Sequence, residues 1–124
     1  MPGYRLTERA ILDLDEIFKT SLARWGETVA RRYVSDLYEA FARIAEDPRI
    51  GRPRRQRCEP YLMIRRNQHF ILYETFRGSV IIVTLIHTRR DVEGLVEALG
   101  QDLQYHVLDA RRGLSDGDSS PNGQ

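Results

Sequence analysis

Tyr61–Ile86, YLMIRRNQHFILYETFRGSVIIVTLI, decides the fold. Within it Tyr61–Arg66, His69–Phe76 and Ser79–Ile86 are β-branched and aromatic runs, broken only by Asn67-Gln68 and Arg77-Gly78. Such residues suit a pleated, half-buried surface, and two-residue breaks of this kind close antiparallel hairpins. The stretch reads as an antiparallel meander. In its last strand both alternating sets are apolar: Val80, Ile82 and Ile86 on one face, Ile81, Val83 and Leu85 on the other. A strand with one wet face would alternate with polar residues, so both faces here are expected to be covered. A helical hairpin can cover one. The final helix, a second copy or a partner chain must cover the other, and a bound partner is therefore one expectation.

Upstream, apolar residues recur at Ile11, Leu14, Ile17, Phe18, Leu22 and Trp25, a helical spacing that predicts one buried stripe between Glu8 and Trp25. Thr7 is placed to cap that helix, and Gly26 to stop it. A second stripe runs through Val29 or Ala30, Tyr33, Leu37, Phe41 and Ile44, and ends at Asp47-Pro48, where the residue before proline leaves the helical region. Two helices joined by a tight glycine turn form an αα-hairpin. Tyr4–Leu6 is short and extended. Arg49–Pro60, with five Arg and the breakers Gly51, Pro53 and Pro60, reads as a loop. Beyond the meander, Asp91 is placed to cap a last helix carrying Val92, Leu95, Val96, Leu99 and Leu103, with Gly100 its weak point. The order β-α-α-β-β-β-α predicts an α+β fold, an antiparallel sheet packed against an N-terminal αα-hairpin. Residues 1–104 are expected to form one domain and 105–124 a polar, flexible tail.

The 124 residues, 41% hydrophobic and 30% charged, suit one ordinary globular domain. No apolar run is long enough to span a bilayer, and MPGYRLTERA lacks the features of a signal peptide, so the cytoplasm is the expected compartment. Cys58, the single cysteine, permits neither an intrachain disulfide nor a multi-cysteine metal site. The net charge of +1 hides an uneven distribution. Residues 1–48 carry a net −2, residues 49–90 a net +8 and residues 91–124 a net −5. The central segment should create a local positive field, and Arg, which supplies nearly all of it, suits phosphate and carboxylate recognition.

Few residues point to small-molecule catalysis. Cys58 sits among arginines that would lower its pKa, yet a lone cysteine without a local signature is more often incidental. His69, His87 and His106 are too scattered in sequence to read as a metal site, and Gly51, Gly78 and Gly94 are too isolated to form a phosphate loop. No metal or cofactor is expected. What remains is a basic constellation: Arg54, Arg55 and Arg57 in the loop, Arg65 and Arg66 closing one strand, and His87, Arg89 and Arg90 following another. If those strands are neighbours, the groups converge on one edge. Such an edge suits an acidic protein surface or nucleic acid, and Arg with His also suits RNA cleavage. A strand-end histidine bonded to backbone is the plain structural alternative for His87.

The residues also resemble a known family. Leu6-Thr7 at the end of an opening strand, Ala10 with Asp13-Leu14, the Trp25-Gly26 turn, and Pro48 with Gly51-Arg52 are similar to the marks of ParE toxins. Downstream, His69, Ile71 and Tyr73, then Ile86-His87 and Asp91, resemble that family's later strands, so the likeness spans roughly residues 3–99. It implies the RelE/ParE fold, a type II toxin–antitoxin role and a ParD-like antitoxin. Relatives of the ParE type poison DNA gyrase, whereas RelE-type relatives cleave mRNA on the ribosome with several Lys, Arg and His or Tyr residues. Lys19 is the only lysine here and no Tyr follows His87, so the resemblance favours a non-enzymatic gyrase inhibitor. The alternatives are a RelE-like endoribonuclease and an inactive member retaining antitoxin binding. Arg65, Arg66, His87, Arg89 and Arg90 are the candidates for target binding. Trp25, Tyr33, Leu37, Phe41, Arg54, Arg55 and Arg65 are the candidates for antitoxin binding. Operator DNA would be reached only through the antitoxin.

Overall fold

The structure, a computed structural model, describes residues 3–53 and 61–119. Its elements are β1 (Tyr4–Leu6), α1 (Glu8–Trp25), α2 (Glu27–Glu46), a 3-10 turn at Pro48–Ile50, β2 (Arg52–Pro53), β3 (Leu62–Arg66), β4 (His69–Phe76), β5 (Ser79–His87), α3 (Val92–Ala98) and α4 (Gly100–Ser119). The sheet runs β1-β5-β4-β3-β2. The meander β3-β4-β5 is antiparallel as expected, but β1 joins β5 in parallel, so the sheet is mixed. A return from β1 to β5 across the whole hairpin leaves no tight turn to enforce the antiparallel sense. The stretch expected to be loop holds the 3-10 turn and β2, which pairs with Leu62 and Met63.

The turns follow their residues. Gly26 has φ 90 and ψ 175, a conformation open to glycine, and serves at once as the end of α1 and the start of α2. Arg77 and Gly78 both take positive φ, the requirement of the tightest hairpin turns.

The hairpin covers one face of the sheet, where Leu14 and Ile17 of α1 and Leu37, Phe41 and Ile44 of α2 meet Ile71, Tyr73, Val80 and Ile82. The buried stripe of α1 is Ala10, Leu14, Ile17 and Ser21. Ile11, Leu22 and Trp25, expected on that stripe, are instead exposed. Small residues on the inner line let the helix sit close to its neighbours.

On the other face Val96, Leu103, Val107 and Ala110 cover Leu72, Ile81, Val83 and Ile86. The chain's own last helices therefore supply the second cover, and the doubly apolar strand calls for no partner. The single last helix expected from sequence is broken between Ala98 and Gly100, and the chain stays helical to Ser119 where a flexible tail from residue 105 was expected. Leu103, Val107, Ala110 and Leu114 follow helical spacing and pack on the sheet, which is why the helix continues.

The faces of β5 also differ from simple alternation. Ile82 lies opposite Tyr73 and Thr84 opposite Leu72, so Val83 is an extra residue. A bulge of one residue exchanges the faces beyond it. Leu85 consequently joins Val80 and Ile82 under the hairpin, and Ile86 joins Ile81 and Val83 under α4.

Candidate functional site

Asp13 and Thr7 lock the helical hairpin onto that bulge. The Thr7 hydroxyl accepts the Ala10 N–H at 2.9 Å, capping α1, and donates to the Val83 carbonyl at 2.7 Å. One turn on, Asp13 Oδ2 accepts the Thr84 hydroxyl at 2.5 Å and the Leu85 N–H at 3.0 Å. The Leu-Thr, Ala and Asp marks read from the sequence are thus the parts that hold α1 to the irregular strand. The Pro-x-x-Gly-Arg exit is explained in the same way. Tyr73 Oη donates to the Pro48 carbonyl at 2.6 Å and accepts the Gly51 N–H at 2.8 Å, and a Cβ on Gly51 would run into the Tyr73 ring.

This docking sets the open end of the sheet. Across it Arg66 pairs with His69, and His69 with His87, so the three lie in one row. The histidines, scattered in sequence, are brought together: the rings of His69 and His87 are 5.1 Å apart, edge to face, while His106 stays on α4 near Asp102. His69 is the residue that sequence reasoning missed, and its strand register opposite His87 was the available signal. Tyr33 of α2 reaches down to it, with its hydroxyl 2.7 Å from His69 Nδ1, and accepts the Gln68 N–H at 3.0 Å. Burial, and then the charge of a protonated His87, lower the His69 pKa from 6.5 to about 4. His87 Nδ1 accepts the Arg89 N–H at 3.0 Å. Tyr33 Oη already accepts the Gln68 N–H and has its own hydrogen to give, which assigns His69 Nδ1 as the acceptor and places the proton of that ring, like that of a neutral His87, on Nε2.

Around the pair lies a cleft of ≈ 270 Å³, walled by Trp25, Tyr33, Gln68 and Arg90, with Ile17 and Leu85 among its apolar lining and Asp13 and Glu16 on the α1 side.

The other basic residues divide. Arg66 donates to Glu39 Oε1 at 2.6 Å, and so ties the sheet to α2. Arg65 is exposed, with its Nε bonded to the Asn67 carbonyl at 2.9 Å. Arg89 and Arg90 are exposed, and neither has an ion-pair partner among the described residues. Arg54, Arg55, Arg57 and Cys58 lie outside the described residues. Of the antitoxin candidates, Trp25 is 56% exposed and Tyr33 half-buried, but Leu37 and Phe41 are fully buried in the core and offer no surface. A second apolar surface of the hairpin joins half-buried Phe18 and Val34 to exposed Tyr38. Phe18, Val34 and Tyr38 line a groove of ≈ 380 Å³ on its outer side, with Arg31 at the rim.

Among the described residues no group of three or more His, Cys, Asp or Glu could hold a metal ion, and no helix is long and apolar enough to cross a membrane.

Residues 4–92 match the family model described as the ParE toxin of the type II toxin–antitoxin system parDE. The chain is 33% identical over 91 residues to Toxin ParE1 of Mycobacterium tuberculosis (strain CDC 1551 / Oshkosh), covering 73% of this chain and 93% of that protein. It is 36% identical over 87 residues to Toxin ParE1 of Caulobacter vibrioides, covering 70% and 90%. The fold is similar to that of the chromosomal ParDE toxin–antitoxin system from P. aeruginosa, with a TM-score of 0.61 at 18% identity over 72% of this chain and 97% of that one. It is also similar to the toxin–antitoxin complex RelBE2 from Mycobacterium tuberculosis, with a TM-score of 0.51 at 24% identity over 70% and 99%.

Proposed function

The chain belongs to the ParE toxin family of type II toxin–antitoxin systems, and on that footing we propose that it binds and inhibits DNA gyrase and is held inactive by a ParD-like antitoxin. The observation that favours binding over RNA cutting is the tied histidine pair. Cleavage near neutral pH needs one group that takes a proton and one that gives it. His69 stays neutral down to about pH 4, and Tyr33 sits on its Nδ1. His87 Nδ1 is taken by backbone, and Arg66 is engaged by Glu39. What this end offers outward is exposed charge at Arg65, Arg89 and Arg90, which suits engagement of a surface.

The hairpin's outer groove supports the antitoxin half of the reading. An amphipathic helix with acidic flanks fits an apolar trough lined by Phe18, Val34 and Tyr38 and edged by Arg31. Operator DNA is then reached through the antitoxin alone, and the place of action is the cytoplasm.

The test is to express the toxin in bacteria while assaying DNA breaks and mapping mRNA ends, beside a gyrase supercoiling assay with the purified chain. Gyrase-dependent breaks with intact mRNA are expected. Codon-phased mRNA cuts abolished by His87→Ala, with gyrase unaffected, would replace this reading with a ribonuclease. Neither effect, with antitoxin still bound, would leave an inactive member.

A further inference from the structure

The cleft beside the histidine pair has features that the outer groove does not share. Two imidazoles stand 5.1 Å apart, and in each the Nδ1 side is turned to an internal partner. Their Nε2–H groups are therefore left as a pair of hydrogen-bond donors. Arg90, exposed and without an ion-pair partner among the described residues, lines the same space. Ile17 and Leu85 add apolar lining. Two imidazole donors and one guanidinium are complementary to a single oxyanion on a short apolar stem.

The surroundings select which oxyanion. Asp13 and Glu16 line the cleft from α1, and Asp36 and Glu39 of α2 lie beside the same sheet end, bonded to Asn67 and Arg66. A nucleic-acid backbone would bring a series of charges past these carboxylates. A lone carboxylate brings a single charge to three donors. The volume of ≈ 270 Å³ is that of a socket for one side chain and falls short of a drug-sized site.

We infer that this cleft is an anchor pocket for one Asp or Glu side chain of the antitoxin, received by the Nε2–H groups of His69 and His87 and by Arg90. The inference rests on the antitoxin reading and adds to it a second contact point, on the sheet side of the hairpin. Trp25, 56% exposed at the rim, would pack on the residue beside the carboxylate.

The experiment uses the full chain and synthetic peptides of the C-terminal half of the antitoxin encoded in the adjoining reading frame, each with one Asp or Glu changed to its amide. Dissociation constants are measured calorimetrically against the wild type, His87→Ala, His87→Gln and Arg90→Ala. One amide peptide should bind the wild type about tenfold more weakly, the effect of losing a hydrogen bond to a charged group. Against His87→Ala and Arg90→Ala that penalty should shrink, because the two changes remove the same contact. His87→Gln, which keeps a hydrogen-bond donor, should restore most of it. Arg90→Ala alters only an exposed side chain, so it reads the contact even if His87→Ala disturbs the fold. Tight binding with no acidic position coupled to either residue would overturn the anchor pocket and leave the antitoxin reading standing. Displacement of the peptide by a uridine decamer at lower concentration would overturn it in favour of RNA. Failure of every antitoxin peptide to bind would overturn both.

Discussion

Gly26 has φ 90 and ψ 175 with open space where a Cβ would stand, so its constraint is backbone geometry and not crowding. That region is essentially closed to other residues, and Gly26→Ala should cost about 1–3 kcal/mol in urea unfolding. An unchanged midpoint would show that the turn can relax into another form. His69 gives a second expectation at this scale. Its folded pKa, held near 4 by burial and then by His87, lies below the ordinary 6.5 of an unfolded chain. Between those values the unfolded chain takes up the proton and the folded one does not, so stability falls as pH drops from about 6.5 to about 4 and is level above. Full conversion of the shift gives about 3 kcal/mol, and solvent screening of a half-buried ring reduces the expectation to about 1–2 kcal/mol. As pH falls across that window, the stability of the wild type relative to His69→Gln should drop by that amount in unfolding curves. Parallel curves would mean that His69 titrates normally.

The element whose attachment is most exposed to test is α4. Its Arg111 makes a two-bond pair with Glu74, at 2.7 and 2.9 Å, and lies over the Phe76 ring at 5.1 Å. Glu74 is 1% exposed on the sheet face, so Arg111→Ala would strand a buried carboxylate at a cost of about 3 kcal/mol or more. Replacing both, Glu74→Leu with Arg111→Leu, should cost much less, since two apolar groups need no pairing. A double variant as unstable as the single one would refute the pairing account. Neither partner stood out in the sequence: Glu74 reads as an ordinary strand residue, and Arg111 falls where a tail was expected. The broad elements were legible because period and punctuation agree: β-branched runs cut by Asn67 and Gly78, helical stripes cut by Gly26 and Pro48. What was not legible depends on contacts between distant segments. The bulge at Val83 leaves no local mark, yet it decides whether Leu85 or Ile86 faces the hairpin. The α1 stripe was misplaced because apolar type was counted, while Ala10 and Ser21 lie inside and Ile11 and Trp25 outside. Among site residues, Arg65, His87, Arg89 and Arg90 were legible as charge at strand ends. The role of His69 needed the register, and that of Arg66 needed Glu39.

For the molecule as a whole, the question is how a nearly neutral protein presents a charged end. The +8 of residues 49–90 is partly cancelled in space, since α2 supplies Glu39 to Arg66 and Asp36 to Asn67. Arg65, Arg89 and Arg90 keep their charge outward. If toxicity works by surface engagement, Arg65→Ala, Arg89→Ala and Arg90→Ala should each weaken it in steps of roughly 1 kcal/mol or less, and high salt should mimic them. Growth assays with titrated expression would show this grading. Complete loss from one substitution would point to catalysis. The parallel pairing of β1 with β5 has a further consequence, one of timing. Thr7 donates to Val83, 76 positions further along the chain, and among the described residues β1 pairs with Val80–Ile82 alone. A chain growing from its N-terminus can form the α1–α2 hairpin early from local contacts, but β1, Thr7 and Asp13 must wait for the fifth strand. Until β5 is made, the growing chain is therefore an unfinished helical pair. The surface that would engage a target arises only once residues 79–90 have been added.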